Sequence, residues 1–330
     1  MLATSTKYRT VGCMAVALIA LAACGSQGAA RTGSLHKQAS VVTVRTTSAD
    51  PLAASFVGLT PPRSSPSAAG RLAVYSAANG RRLRFLTTQK ATGFNPVISA
   101  DGKTVAFERS TGPCAQNIDS VPLSGGRPRV LVPMKFSGNR PLVPSSPTYS
   151  SDGQYLGYLT TGCSWSSHDV IHVRNLRTGH ELTGPGYLPE RAVFVNHDRQ
   201  IVFAYAGALV VVRLPSFARH TVQPPHGCQY QLLAGTETKL AATVECGHRH
   251  AVSIVAISTR TFTVTKTVLR LSHCPSCLDL SFAPTDPSAM LVATDNPCVP
   301  VPGAIYVIRG QGARLVVSRS AQHLPYEIVW

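Results

Sequence analysis

Acidic residues are scarce in this chain: 15 Asp and Glu stand against 31 Lys and Arg in 330 residues. An acidic, self-solvating surface is thereby excluded, and charge alone favours anionic surroundings. Aromatic residues make up only 7% of the chain. With no evident stacking platform and with Lys and Arg scattered rather than clustered, no nucleic acid is expected as a partner. Catalytic signatures are missing as well. There is no G-x-S-x-G elbow, no phosphate-binding loop, no H-E-x-x-H and no G-x-G-x-x-G, which leaves no motif basis for a hydrolase serine, a nucleotide site, a zincin or a dinucleotide fold. The apolar run from Val11 to Ala22 falls short of the roughly 20 residues that a bilayer-spanning helix needs.

That run is nevertheless informative. Lys7 and Arg9 precede it and LAACGS follows at residues 21–26, which is the layout of an export signal. The tetrapeptide ending in Cys24 resembles the bacterial lipobox. The resemblance implies that residues 1–23 are a lipoprotein signal peptide and that Cys24 becomes the lipidated first residue, a two-chain anchor sufficient for stable attachment. Residues 24–52 are rich in Ala, Ser, Thr and Gly with no acid before Asp50; they read as a flexible, disordered linker. Loss of Lys7 and Arg9 leaves 29 basic and 15 acidic residues, a net charge of +14. The expected location is the extracytoplasmic face of the cell membrane, where such a charge attracts anionic head groups and phosphate-rich envelope polymers.

Beyond the linker the chain repeats. FNPVISADGKTVAFERS from Phe94, SSPTYSSDGQYLGYLTT from Ser145, RAVFVNHDRQIVFAYAG from Arg191, CQYQLLAGTETKLAATVEC from Cys228 and CLDLSFAPTDPSAMLVATD from Cys277 each read as strand, polar turn and strand. A second hairpin follows each one, as in DVIHVRNLRTGHEL. Four strands per period of about 45 residues is a propeller-blade signature. QHLPYEIVW at residues 322–330 reads as a further inner strand, and AASFVGLT (53–60) with RLAVYSAANGRRLRFLTT (71–88) reads as the remaining three. A blade assembled from both termini makes six and leaves no exposed edge at the seam.

SADGKTVAFERS and SSDGQYLGYLTT, each followed by such a hairpin, resemble the repeats of TolB-like six-bladed β-propellers. The resemblance covers residues 53–330 and weakens where NHDRQ, GTETK and PTDPS replace the Asp-Gly turn. The expected class is all-β, a propeller closed by pairing of N- and C-terminal strands. The fold implies no particular chemistry.

Seven cysteines remain after Cys13 and Cys24, in a compartment where disulfides persist. Cys114, Cys163, Cys246 and Cys298 follow the second strand of a repeat, whereas Cys228, Cys274 and Cys277 precede or open the first. Both places fall on the rim opposite the Asp-Gly turns. Cys228 is expected to pair with Cys246, Cys298 with Cys277 or Cys274, and Cys114 with Cys163. A rival reading takes CGHRH and HCPSC, with Cys246, His248, His250, His273, Cys274 and Cys277, as a zinc set.

The favoured function is a membrane-anchored binding scaffold without catalysis or cofactor of its own. It would recognise a protein or an anionic envelope polymer on the disulfide-bearing rim through Arg109, Trp165, His168, Arg249 and His250. The alternative is a metal-dependent propeller lyase or hydrolase drawing on His168, His226, His248, His250 and His273.

Overall fold

Alternating side chains on a strand point to opposite faces, so a sheet whose middle strands are apolar at every position must be covered on both sides. The second strands of the repeats are of this kind: Val105 through Glu108, Leu156 through Leu159 and Leu240 through Val244 are buried without interruption. A computed structural model shows what covers them. It describes residues 55–60, 71–88, 93–112, 114–138, 140–163, 169–186, 191–247, 251–271, 277–282, 288–295, 303–309, 312–319 and 326–329.

These residues form six antiparallel sheets and, among the described residues, no helix. The first sheet orders β25 (Tyr326–Val329), β1 (Ser55–Thr60), β2 (Arg71–Ser76) and β3 (Arg82–Phe85). The second contains β4 (Gly93–Ile98), β5 (Thr104–Gly112), β6 (Ala115–Pro122) and β7 (Arg129–Val132). In the third, β9 (Arg140–Tyr149), β10 (Tyr155–Gly162), β11 (Val170–Asn175) and β12 (Glu181–Pro185) are joined by β8 (Lys135–Ser137) on the far side of β9. The fourth comprises β13 (Val193–Val195), β14 (Gln200–Tyr205), β15 (Ala208–Arg213) and β16 (Ala218–Val222). The fifth runs β17 (Cys228–Thr236), β18 (Lys239–Cys246), β19 (Ala251–Ile257) and β20 (Val264–Leu271). The sixth is β21 (Cys277–Phe282), β22 (Ala289–Asp295), β23 (Gly303–Arg309) and β24 (Gly312–Arg319).

The sheets are blades of a closed ring. Their first strands touch in the order β25, β4, β9, β13, β17, β21 and back to β25. Six hydrophobic clusters fill the six gaps between successive blades. On β5, Val105 and Phe107 pack against Leu72 and Val74 of the first blade, while Ala106 between them packs with Leu156 and Tyr158 of the third. The two-residue period therefore supplies two interfaces from one strand. At the seam Val57 of β1 pairs with Val329 of β25, so strands from the two ends of the chain complete one sheet and cap its edge.

The turns named by sequence have a local chemical cause. Asp101 Oδ1 accepts from Ser99 Oγ at 2.6 Å and Lys103 N at 3.0 Å, and Gly102 adopts φ +69°. Asp152 repeats the arrangement with Ser150 at 2.7 Å and Gln154 N at 2.8 Å, and Gly153 sits at φ +71°. The Ser hydroxyls in turn accept from Thr104 N and Tyr155 N. Four strands per blade held in five sheets; the third has five, because the segment before β9 folds back as a β8–β9 hairpin around Gly138, whose φ is +59°.

Candidate functional site

The first strands converge on the ring axis, and near their turn-bearing ends they enclose a cavity of about 190 Å³. Five blades contribute to it, through residues 97, 98 and 100, 148–151, Arg191 with residues 192–194, 233–236 and 280–282. Small side chains keep the space open: Ala100, Ser150, Ser151, Ala192, Ala234 and Ser281 are among its lining. Gly235 has no room for more, since a Cβ there would stand 2.6 Å from Leu240 and 2.8 Å from the Lys239 carbonyl.

Carboxylates gather beside Ser151 of this wall. Ser151 N–H donates to Asp198 Oδ1 at 3.2 Å, and the Ser151 hydroxyl lies 3.2 Å from that oxygen and 3.3 Å from Glu237 Oε2. Glu237 Oε1 also accepts from His197 N at 3.1 Å and contacts His197 Nδ1 at 2.5 Å. The turns of the third, fourth and fifth blades are thereby tied together. Asn196, His197 and Asp198 hold φ of 56°, 55° and 58°. Three successive left-handed residues without Gly are sparsely populated backbone, tolerated best by Asn, Asp and His. The NHDRQ turn thus trades glycine's freedom for side chains that reach the neighbouring blades.

These carboxyls differ in acidity. Burial, followed by the nearby charge of Asp152, pushes Asp198 up to about 6 against the pull of the Ser151 N–H. Burial also opposes ionisation of Asp152, but hydrogen bonds from Ser150 and Gln154 outweigh it and hold that carboxyl below its ordinary value. Asp198 and Glu237 thus bring carboxyl groups beside Ser151 of the cavity wall, and Arg191 of the same wall brings a cation.

Between the second and third blades lies a second polar network. Glu108, 5% exposed, accepts from Asn95 Nδ2 at 2.8 Å, Ser146 N at 2.7 Å and Gln116 Nε2 at 2.6 Å. Farther out, Tyr158 Oη donates to Glu181 Oε2 at 2.5 Å, His172 Nδ1 lies 2.8 Å from Glu181 Oε1, and Thr160 Oγ1 lies 2.8 Å from His172 Nε2. His172 stacks on Tyr158 with ring centroids 4.7 Å apart. Burial raises the Tyr158 phenol, and its bond to Glu181 adds to that. For Glu181 itself burial is outweighed by the bonds from Tyr158 and His172, which keep its carboxyl low. This network knits β10, β11 and β12 and stands apart from the channel residues.

Of the residues singled out by sequence, Cys228 and Cys246 are bonded directly across β17 and β18, with Cα atoms 4.0 Å apart. Cys114 bonds Cys163 with Cα atoms 5.6 Å apart, fastening the β5–β6 turn of the second blade to the end of β10 in the third. Cys246 is thereby withdrawn from the zinc set, and no group of metal-binding side chains occurs among the described residues. Arg109 reaches across to buried Asp119, its Nε 2.5 Å from Oδ2. Cys24, Trp165, His168, Arg249, His250 and Cys298 lie outside the described residues, as do Cys274, His248 and His273, and the side chain of Cys277. The cavity and its carboxylates escaped the sequence reading; the loss of Asp-Gly in NHDRQ and GTETK was the available signal.

No protein-family model matches the chain, and no curated protein matches it. Among solved structures, TolB from Acinetobacter baumannii is similar at 18% identity and a TM-score of 0.57, over 84% of this chain and 65% of that protein. This chain therefore spans just under two thirds of that TolB's length. Kuenenia stuttgartiensis hydrazine synthase (14% identity, 69% of this chain and 66% of that one, TM-score 0.46) and the tricorn protease (12%, 80% and 29%, TM-score 0.48) are more loosely similar, and their chemistries carry no argument here. The chain has the TolB-like six-bladed β-propeller fold.

Proposed function

We propose that this chain is a lipid-anchored, extracytoplasmic binding scaffold, without catalysis of its own, that takes a protein segment at the turn-side mouth of its channel. The observation that carries the reading is the cavity walled by five blades, with Asp198 and Glu237 held against Ser151 of its lining. At about 190 Å³ it is smaller than the roughly 300–1,000 Å³ of small-molecule pockets. Its size suits one side chain or a chain end; Asp198 and Glu237 beside Ser151 offer partners to a Lys, an Arg or an amino terminus, and Arg191 in the lining offers one to a carboxylate of the same segment. Anchoring rests on the lipobox resemblance at Cys24.

A photo-crosslinking residue at Gln154 or Thr238, both exposed beside the mouth, should capture a protein in the native envelope. The same probe at Thr221 on the outer strand β16 should not. Loss of the adduct with Glu237→Gln would tie it to the carboxylates. Capture only from Thr111, exposed near the end of β5 away from its turn, would overturn the mouth as the site, and stoichiometric metal in the purified protein would overturn the non-catalytic reading. Fatty-acid labelling that persisted in Cys24→Ser would overturn the anchor.

A further inference from the structure

The extra hairpin of the third blade is the feature that neither the blade plan nor the channel requires. From Ser120 to Ser151 the chain contains no acidic residue, and it carries Arg127, Arg129, Lys135 and Arg140, all exposed. Within that stretch β8 and the start of β9 pair as a ribbon: Lys135 opposite Leu142, Phe136 opposite Pro141 and Ser137 opposite Arg140. Every residue of β8 is exposed, and Phe136, at 65%, is the most exposed large hydrophobic among the described residues. By the register, Phe136 and Pro141 share one face of the ribbon, while Lys135, Ser137, Arg140 and Leu142 share the other. An aromatic side chain left in water on a bare ribbon, with cations on its reverse face, makes an amphipathic element that the rest of the fold does not cover. Glu181 lies within electrostatic reach of Lys135, but its carboxyl is engaged by Tyr158 and His172. Among the described residues Arg140 forms no ion pair.

We propose that this β8–β9 hairpin docks on an anionic bilayer surface, with Phe136 entering the interface and Arg140 and Lys135 meeting lipid phosphates. Charge complementarity selects the occupant. Aromatic rings settle at the boundary between head groups and acyl chains, and each nearby Lys or Arg adds attraction to an anionic leaflet. A purely phosphate-bearing polymer would use the cations and leave Phe136 in water; a bilayer satisfies both. The first strand β9 runs from this hairpin toward its turn at Asp152, so the hairpin lies on the rim opposite the channel mouth. Docking through it would turn the mouth away from the membrane. The proposal rests on the membrane-attached reading only for the presence of a bilayer, and the two are separable by experiment.

The exported full chain carrying Cys24→Ser, and so lacking any acyl group, is mixed with vesicles of phosphatidylglycerol and phosphatidylcholine or of phosphatidylcholine alone, and the bound fraction is read by flotation. Binding is expected to the anionic vesicles only and to fall with added salt. Phe136→Ser should weaken it about fivefold, and the double change Lys135→Glu, Arg140→Glu about tenfold or more. All three positions are exposed, so melting curves of the variants should match the parent. Variants that bind as the parent does, equal binding to both vesicle types, or no binding to anionic vesicles would each overturn the proposal. The anchor itself is decided separately by acylation of the unmodified chain.

Discussion

Replacing Asp198 by Asn probes the electrostatics of the channel mouth through stability. In the folded chain this carboxyl is pushed from its ordinary 3.8 to about 6, by burial first and by the charge of Asp152 after it. Unfolded, it ionises in the ordinary range. The native chain therefore holds a proton that the unfolded chain has released, and by linkage the stability from this group is present below pH about 4 and lost as pH rises through about 6. A difference of about two pKa units corresponds to roughly 3 kcal/mol. The carboxyl is only half-buried, and solvent screening reduces this to about 1 kcal/mol. Asn retains an acceptor for the Ser151 N–H but cannot ionise. Asp198→Asn should leave stability unchanged at about pH 4 and raise it by about 1 kcal/mol at about pH 7.5. Urea unfolding of both proteins at the two pH values measures this; the linked ionisation of Asp152 is part of the same difference, and groups remote from the pair cancel. A change of the same size at both pH values, or a loss of stability at the higher one, would refute the reasoning.

Three further outcomes follow from the packing and the covalent links. Converting both Cys114 and Cys163 to Ala opens a 49-residue separation, against 18 for Cys228 and Cys246; in the chain-entropy model the losses are about 4 and about 3 kcal/mol, and the reverse order in denaturant unfolding would contradict the inter-blade role of the first bridge. A Cβ at Gly157 would stand 2.9 Å from Thr148 Cγ2 and 3.1 Å from the Phe194 ring, so Gly157→Val should cost about 1–3 kcal/mol by overpacking and be partly rescued by Phe194→Leu; an unchanged melting temperature would show that no such contact exists. Deleting residues 322–330 removes β25 and bares the edge of β1, which should cause aggregation or loss of the cooperative transition; a truncated chain that melts like the parent would sink the closure argument.

Much of the fold could be read from the chain because its causes are local. The Ser-x-Asp-Gly turns at Ser99 and Ser150 are closed by hydrogen bonds within five residues, and such chemistry is written in consecutive letters. The Cys228–Cys246 bridge was legible for the same reason: its partners face each other across one hairpin. The β8–β9 hairpin was missed because KFSGNRPL offers only three paired positions, too few for an alternating pattern to stand out.

The sequence by itself determined the repeat, the two-residue alternation that makes each blade adhesive on both faces, the turn chemistry, and the splitting of one blade between the two ends of the chain. What the ring encloses depends on contacts between blades. The cavity draws on first strands roughly 45 residues apart, and the Ser151, Asp198 and Glu237 contact joins residues 47 and 86 positions from one another. The raised pKa of Asp198 depends on burial and on the charge of Asp152 from another blade. Desolvation and Coulomb terms are properties of three-dimensional neighbours, and closing the ring is what makes those residues neighbours.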